Sequence, residues 1–438
     1  MARSGRLDLG NVLQAVDAAS PAEAIETLAR ELGVAFDAVA VSFLITDLTG
    51  RAVVRLGQAP VWRSDGESAT VLPLEGGPRE QALRTQTVQV SHPGAAPEGR
   101  STGLWQVLAP VTERGESIGL LELYLPDEPD HEVVTDIHQV AHLLAFVIIA
   151  NRRHTDLFER AQRSTEFNLS AEIQQRLLPE ARSCEASAFT LAGWLEPAAS
   201  IGGDTFDYSL ARDVLHLSIT DAMGHGIDAA LTASLCLAGL RGGRRRGMSL
   251  LEQATSANAT LFDYTMNGAT DDFVTGLIGR VDLRHGVLDM VNAGHVAPYL
   301  LRDDEVTMIF EQPAMPLGIF ADTVYDSHQL QLIRGDRVVF VTDGMLERRV
   351  STVDLPTAIR DTRDLHPREV VRALADSALE AAGHALQDDA TLLCLDWHGM
   401  HSEDRDTSSG ADPQRASARL DVRPATRRPD EARRHRGS

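Results

Sequence analysis

The run Val214-Leu215-His216-Leu217-Ser218-Ile219-Thr220 ends in Asp221-Ala222-Met223-Gly224-His225-Gly226. β-prone residues close on an aspartate and a turn with two glycines follows, so the stretch reads as a strand that stops at a carboxylate. The same signature recurs along the chain. Gly202-Gly203-Asp204 precedes Thr205-Phe206-Asp207-Tyr208, and Arg337-Val338-Val339-Phe340-Val341-Thr342 ends in Asp343-Gly344. Asp388-Asp389 opens a last strand, Ala390-Thr391-Leu392-Leu393-Cys394-Leu395. Carboxylates at strand ends lie on the rim of a sheet, where several strands can aim them at one spot. Neighbouring glycines permit tight turns and let a backbone carbonyl join the coordination. One Asp-Gly alone is ordinary turn chemistry. Four such strand ends in one segment point to a site.

Acids with few nitrogen ligands and no nearby thiolates favour Mg²⁺ or Mn²⁺ over zinc. Two such ions, about 3.5–4 Å apart, would hold and deprotonate a bridging water and neutralise a phosphoryl group.

The rest of the chain bounds this reading. At 438 residues with 43% hydrophobic residues, it is long enough for two or three domains and too apolar to be disordered or fibrous. A net charge of −22, from 41 basic against 63 acidic residues, argues against nucleic acid as a partner. The carboxylate surplus serves either solubility or hard-cation binding. Every basic residue is arginine, which excludes lysine Schiff-base and Walker-type chemistry. Cys184, Cys236 and Cys394 form neither a disulfide framework nor a CxxC knuckle. The longest apolar run, Ala145-Phe146-Val147-Ile148-Ile149-Ala150, falls short of the roughly 18–20 residues of a membrane span, and residues 1–30 lack a signal-peptide pattern. These features predict a cytoplasmic protein without membrane insertion.

Residues 1–131 alternate helical and strand-like runs. The segment 22–32 has helical spacing, Val39-Ala40-Val41-Ser42-Phe43-Leu44-Ile45 reads as a strand, and Glu113-Arg114-Gly115-Glu116 reads as the turn of a hairpin. Helix, strand, turn, strand and late hairpin resemble the GAF family of small-molecule-sensing domains, which implies a sensor for an unknown small-molecule or protein signal. Residues 132–180 read as a helical connector, with Ile137, Val140, Leu144, Val147, Phe158 and Ala161 on heptad a and d positions. Asn151 and His154 continue that register. The pattern fits a coiled-coil homodimer with Asn151 setting register, or equally a core helix followed by a separate exposed one. Residues 181–399 form a strand-rich domain with helices expected at 228–240, 250–266 and 367–382, and residues 400–438 lack the apolar content to fold.

Several lesser motifs read as structure. Gly115-Glu116-Ser117-Ile118-Gly119 has the GxSxG spacing, but a strand rather than a helix follows it. His138 and His142 share a helix face with no third ligand placed by the sequence. Gly202-Gly203-Asp204-Thr205-Phe206 is similar to a cyclic-dinucleotide cyclase signature but lacks its glutamate. The arginines at 241, 244, 245 and 246 read as a solvated loop rather than a docking patch. His295 reads as a hydrogen-bonded structural histidine rather than a substrate-steering one.

The ordered set Gly202-Gly203-Asp204-Thr205-Phe206-Asp207, Asp221-Ala222-Met223-Gly224-His225-Gly226, Phe273-Val274-Thr275, Asn292-Ala293-Gly294-His295 with Pro298, Pro316-Leu317-Gly318, Thr342-Asp343-Gly344 with Glu347, and Asp388-Asp389-Ala390-Thr391 resembles the SpoIIE-type branch of the PPM serine/threonine protein phosphatases. Ile201 and the lead-in Ala171-Glu172-Ile173-Gln174-Gln175-Arg176-Leu177-Leu178-Pro179 belong to the same pattern, which covers about residues 171–397. The resemblance implies an α+β chain in which a GAF-like α/β sensor and a helical connector precede an α-β-β-α sandwich holding two Mn²⁺ or Mg²⁺ ions. Carried over by motif, Asp221 would bridge both ions, the Ala222 carbonyl and Asp204 would complete one, and Asp343 and Asp388 would hold the other. Catalysis would run through these four aspartates and the water they position. Asp207, Asp389 and His225 are candidates to support them; His225 could be an acid or pack the turn. Alanine at 222 departs from the family's frequent glycine.

The implied reaction is hydrolysis of phosphoserine or phosphothreonine on a regulatory protein, an anti-sigma-factor antagonist by resemblance, under control of the sensor. Two rivals are a catalytically silent docking module and a nucleotide cyclase. The four intact aspartates weigh against the first, and the missing glutamate against the second.

Overall fold

A computed structural model describes residues 9–59, 70–74, 76–92, 103–163, 169–198, 202–268, 272–309, 312–346, 350, 353–400, 405–406 and 409–417. Ile201 and Glu347 of the expected motif lie outside the described residues. The chain forms two compact units, one of residues 1–166, 183–186 and 404–418, the other of residues 167–182, 187–403 and 419–438.

In the first unit, α1 (Leu9–Ala18) and α2 (Ala24–Ala35) precede β1 (Ala40–Thr46), β2 (Ala52–Ala59), β3 (Val71–Pro73), α3 (Pro78–Thr85), β4 (Gln89–Ser91), β5 (Trp105–Glu113) and β6 (Glu116–Leu125). The strands form one sheet, ordered β3-β2-β1-β6-β5-β4, with antiparallel pairing throughout. Strand periodicity divides its faces. Val41, Phe43 and Ile45 of β1 and Leu121, Leu123 and Leu125 of β6 join the core under α2, while Leu44 and Leu120 pack on the other side. On that second side the fully buried Glu122 accepts from Arg79 at 2.7 Å, Arg55 at 3.1 Å and Gln106 Nε2 at 2.8 Å. Arg114 (φ 44°) and Gly115 (φ 76°) make the two-residue turn between β5 and β6, as the hairpin reading expects.

The helical connector is a core helix followed by a separate short one, not a continuous coiled coil. Helix α4 (His131–Asn151) begins at Asp130, whose carboxylate caps Val133 N–H at 2.9 Å, but a 3₁₀ turn at Arg152–His154 and an extended Thr155 end it before α5 (Leu157–Gln162). Ile137, Val140, Leu144, Val147 and Phe158 are buried in this unit's own core, which for α4 is the core-helix alternative rather than the partner-helix one. Asn151 donates to its own helix, to the Val147 carbonyl at 2.9 Å, rather than setting register across a dimer. The apolar stripe covers a sheet, which removes the observation behind the coiled-coil homodimer. By length and composition the stretch His131–His154 is apolar enough to cross a membrane, with mean hydropathy 1.8, contrary to the sequence expectation. Its buried residues are nevertheless the core just described.

The expectation of an unfolded tail over residues 400–438 fails for residues 409–417, while residues 401–404, 407–408 and 418–438 lie outside the described residues. Short β7 (Ser183–Glu185) and the tail residues Ser409, Ala411, Asp412 and Ser417 are buried in the first unit. Hydrogen bonds and arginine pairs hold them, so their poverty in large apolar side chains did not decide the matter.

The second unit opens with α6 (Leu169–Leu177), followed by β8 (Phe189–Glu196), β9 (Thr205–Leu210), β10 (Val214–Ala222), α7 (Ile227–Arg245), α8 (Leu250–Gly268), β11 (Val274–Asp282), β12 (Val287–Ala293), β13 (Tyr299–Arg302), β14 (Glu305–Met308), β15 (His328–Gln331), β16 (Arg337–Val341), α9 (Leu355–Asp361), α10 (Pro367–Ala381) and β17 (Ala390–Trp397). One sheet runs β15-β12-β11-β10-β9 and the other β14-β13-β16-β17-β8. α7 and α8 cover the first sheet through Ala233, Cys236, Leu240 and Leu261, and α9 and α10 cover the second through Ile359, Val371, Leu374 and Ala378. Between the sheets, Gly193 of β8 leaves the space that the Phe206 ring fills. The layers are α-β-β-α.

Candidate metal centre and active site

Strand pairing brings the aspartates to one end of both sheets. Asp221 sits opposite Thr275 and Ala222 opposite Val274 in the β10–β11 register. Asp204 precedes β9, which pairs with the same β10. In the other sheet β16 runs into Asp343, and Asp388-Asp389 leads into its neighbour β17. Close backbone approach explains the glycines. A Cβ at Gly344 would overlap the Asp389 carbonyl, and one at Gly203 would meet the Ala222 carbonyl oxygen at 2.7 Å. One at Gly202 would crowd Asp388 Oδ1 at 3.0 Å.

Exposure grades from floor to mouth. Asp204 is 2% exposed, Asp221 and Asp388 are half-buried, and Asp343 is exposed. Burial, followed by the charges of Asp221 and Asp389, raises the Asp204 carboxyl well above its ordinary range. Burial and then the Asp343 and Asp388 carboxylates push Asp221 up to about 7, against a hydrogen bond with Asp204. Asp343 is also raised, by burial and by Asp388. A cation among these carboxylates would relieve their mutual repulsion. The all-oxygen donor set therefore fits Mg²⁺ or Mn²⁺. Among the described residues no group of three or more His, Cys, Asp and Glu side chains is already closed to metal-ligand geometry. The acids face a common space without being drawn onto one point.

Their supports are only partly the expected ones. Asp389, 1% exposed, accepts from Ala198 N–H at 2.8 Å, Gly202 N–H at 3.1 Å and Gln174 Nε2 at 2.5 Å. Gln174 of α6 also donates to the Asp204 carbonyl at 3.0 Å. Thr342 Oγ1 donates to Asp204 Oδ2 at 2.8 Å while accepting from Thr391 N–H at 3.0 Å, which fixes the hydroxyl's direction. Both residues lie inside the quoted motifs, but sequence reasoning assigned neither a role.

Asp207 is not a support of the centre. It is buried on β9 and pairs with Arg241 at 2.8 Å and Arg244 at 2.9 Å, and Arg241 also donates to the Leu177 carbonyl at 2.7 Å. These two arginines thus tie α7 to β9 and to the end of α6, rather than forming a solvated loop. His225 is exposed in the turn before α7, with no described contact to the acids and no packed environment. His295 is 4% exposed and bonds Thr275 Oγ1 through Nδ1 at 2.9 Å; burial pushes it down to about 4, so it is neutral. Asn292 accepts from its N–H at 2.7 Å and donates to its carbonyl at 3.0 Å, across Gly294 at φ 74°.

Residues 211–398 match the family model described as stage II sporulation protein E (SpoIIE). The chain is 25% identical over 241 residues to phosphoserine phosphatase RsbU of Bacillus subtilis (strain 168), covering 53% of this chain and 70% of that protein. It is 24% identical over 242 residues to phosphoserine phosphatase RsbP of the same organism, covering 53% of this chain and 57% of that protein. Among solved structures, the PP2C phosphatase domain of SpoIIE from Bacillus subtilis aligns with a TM-score of 0.42 at 17% identity, over 48% of this chain and 64% of that one. The stretch that carries three of the four strand-end aspartates, Asp221, Asp343 and Asp388, is thus similar to SpoIIE, and about half of the chain is similar to RsbU and RsbP.

Proposed function

We propose that this chain is a metal-dependent phosphoprotein phosphatase that removes phosphate from serine or threonine of a regulatory protein, under control of its N-terminal unit. One observation carries the reading: acids from both sheets crowd one rim, largely buried and mutually repelling, on a unit most of which matches the SpoIIE family model. Asp204, Asp221, the Ala222 carbonyl, Asp343 and Asp388 would hold two Mn²⁺ or Mg²⁺ ions. Such ions supply a nucleophilic water and positive charge for the phosphoryl oxygens.

The chain's own residues orient that donor set. Thr342 holds one oxygen of Asp204. Asp389 is clamped by two backbone N–H groups and Gln174, and in turn its own N–H donates to Asp388 Oδ1 at 2.8 Å. Exposed Asp343 leaves the site open on the side where a protein substrate would approach.

The kinship with RsbU and RsbP, both named phosphoserine phosphatases, supports a phosphorylated anti-sigma-factor antagonist as substrate. The single antiparallel sheet with helices and its buried Glu122–arginine node supports a GAF-like sensor, and we take the protein to act in the cytoplasm.

Hydrolysis of p-nitrophenyl phosphate by the full chain, with EDTA, Mg²⁺ or Mn²⁺, tests the reading. Turnover that requires metal and vanishes in Asp343→Asn is expected. Silence with either metal, on both the aryl phosphate and a phosphoserine protein, would leave a docking module instead.

A further inference from the structure

The tail docks as a ligand docks. Within the first unit Glu185 is fully buried, and its Oε2 accepts from Arg405 Nε at 2.7 Å and from Asp412 N–H at 2.9 Å. Arg405 also donates to the Gly410 carbonyl, and Arg415 to the Ala186 carbonyl. The β5–β6 hairpin supplies the rest: Thr112 Oγ1 donates to the Ser409 carbonyl at 2.5 Å, and Gly115 N–H donates to the Gly410 carbonyl at 2.9 Å. Gly410 adopts φ 77°, and a Cβ there would overlap the Thr112 carbonyl and His142 Nδ1. Only glycine meets both demands. A buried carboxylate with charge-assisted partners is not a chance surface contact.

The two anchored segments have a notable place in the chain. Ala186 lies three residues before β8 starts, and Arg405 lies eight residues after β17 ends. β8 and β17 pair antiparallel, Phe189 opposite Trp397 at one end and Glu196 opposite Ala390 at the other. The first end is stitched by His398 N–H to the Ala188 carbonyl at 2.7 Å and by Thr190 Oγ1 with His398 Nε2 at 2.8 Å. The second end leads into Ala198, Asp388 and Asp389, at the candidate metal centre. An eight-residue strand spans about 25 Å and is stiff along its axis.

We propose that residues 405–406 and 409–417 are a clamp in cis: a peptide that the sensor unit binds on Glu185 and the β5–β6 hairpin. Docked, it anchors on the first unit the chain that leads into β8 and the chain that follows β17, the two strands whose other ends adjoin Asp388 and Asp389, and so supports metal binding there. The link to metal binding rests on the phosphatase reading; the docking does not.

Hydrogen–deuterium exchange and Mn²⁺ titration of the full chain test the two parts separately. The wild-type protein should protect the Gly115 and Asp412 amides. Gly410→Val should lose that protection and bind Mn²⁺ roughly fivefold or more weakly, whereas a change at exposed Gln414, Gln414→Ala, should do neither. A chain ending at residue 403 should behave like Gly410→Val, and a synthetic peptide of residues 404–418 added to it should restore both readouts. Free exchange at Asp412 in the wild type overturns the clamp. Lost protection with unchanged Mn²⁺ affinity overturns the coupling while leaving the phosphatase intact.

Discussion

Removing divalent metal should make the second unit lose stability as pH rises from the mildly acid range toward neutrality, the reverse of ordinary acid denaturation. Asp221 is pushed up to about 7 from an ordinary 3.8, chiefly by burial and then by Asp343 and Asp388. A carboxyl raised on folding binds more protons in the native state than in the unfolded one. Its contribution is fully present below the unfolded value and is lost as pH climbs to the folded one. Each pKa unit is about 1.4 kcal/mol, so the two units between pH 5 and 7 amount to roughly 2–3 kcal/mol. Asp204 and Asp343 are raised as well and push in the same direction. For a domain of this size that is roughly 5–10 °C in Tm. Calorimetry of the EDTA-treated chain at pH 5 and pH 8 reads it directly. Mn²⁺ should reverse the trend, because it needs the deprotonated ligands and gains affinity as pH rises. At a hundredfold excess over its Kd it adds about 2.7 kcal/mol. The metal-free and metal-loaded curves should therefore diverge from pH 5 to pH 8. A metal-free Tm that is flat or rising over that range would refute the argument that these acids crowd one another in the folded state.

Gln174→Ala removes one donor from two buried acceptors, Asp389 and the Asp204 carbonyl, and should destabilise the domain by about 1–3 kcal/mol in thermal melts while weakening Mn²⁺ binding. Asp207→Asn breaks the pairs with Arg241 and Arg244 and should lower stability by about 1–2 kcal/mol, with Mn²⁺ affinity unchanged. His295→Asn should lower Tm yet leave the pH profile of aryl-phosphate hydrolysis in place, since a neutral, buried histidine does not titrate near pH 7. Ile137→Asp or Leu144→Asp should unfold the first unit, as read by near-UV circular dichroism, rather than dissociate a dimer that light scattering could see.

What could be read from the chain is what one strand carries by itself. The apolar run 214–220 stopping at Asp221, and the runs around Asp204, Asp343 and Asp388, encode strand, rim and carboxylate within a few consecutive residues. Two sheets then place them together by pairing alone. The hairpin at Arg114-Gly115 was legible for the same reason, since a two-residue turn needs left-handed backbone that glycine supplies. Helix α4 was ambiguous in principle. An apolar stripe at Ile137, Val140, Leu144 and Val147 looks identical whether it covers a sheet or a second helix, and only the strands at a distance in sequence decide between them. Asp207 misled because its motif neighbour Asp204, just ahead of β9, faces the metal centre, whereas Asp207, within β9, meets arginines that lie 34 and 37 residues further on.

The tail exposes a different limit. Composition measures how much apolar surface a segment can bury, and residues 405–417 bury little of it as large side chains. Their docking instead satisfies a carboxylate that is already inside: without Arg405 and the Asp412 N–H, Glu185 would lose partners that offset its burial. Neither side of that bargain is readable alone, since Glu185 looks like a surface acid and the tail looks like a linker. The same logic covers Gln174, a neutral residue on a half-exposed helix whose importance comes from the two acceptors that the Asp204 and Asp389 loops bring to it. Both cases join a segment flanking the SpoIIE-like stretch to a buried acid, Gln174 from the N-terminal side and Arg405 from the C-terminal side. A domain whose centre is a set of repelling carboxylates is sensitive to small displacements of the strands that carry them. Gln174, which bonds both the Asp204 carbonyl and Asp389, is one contact through which such a displacement would be felt.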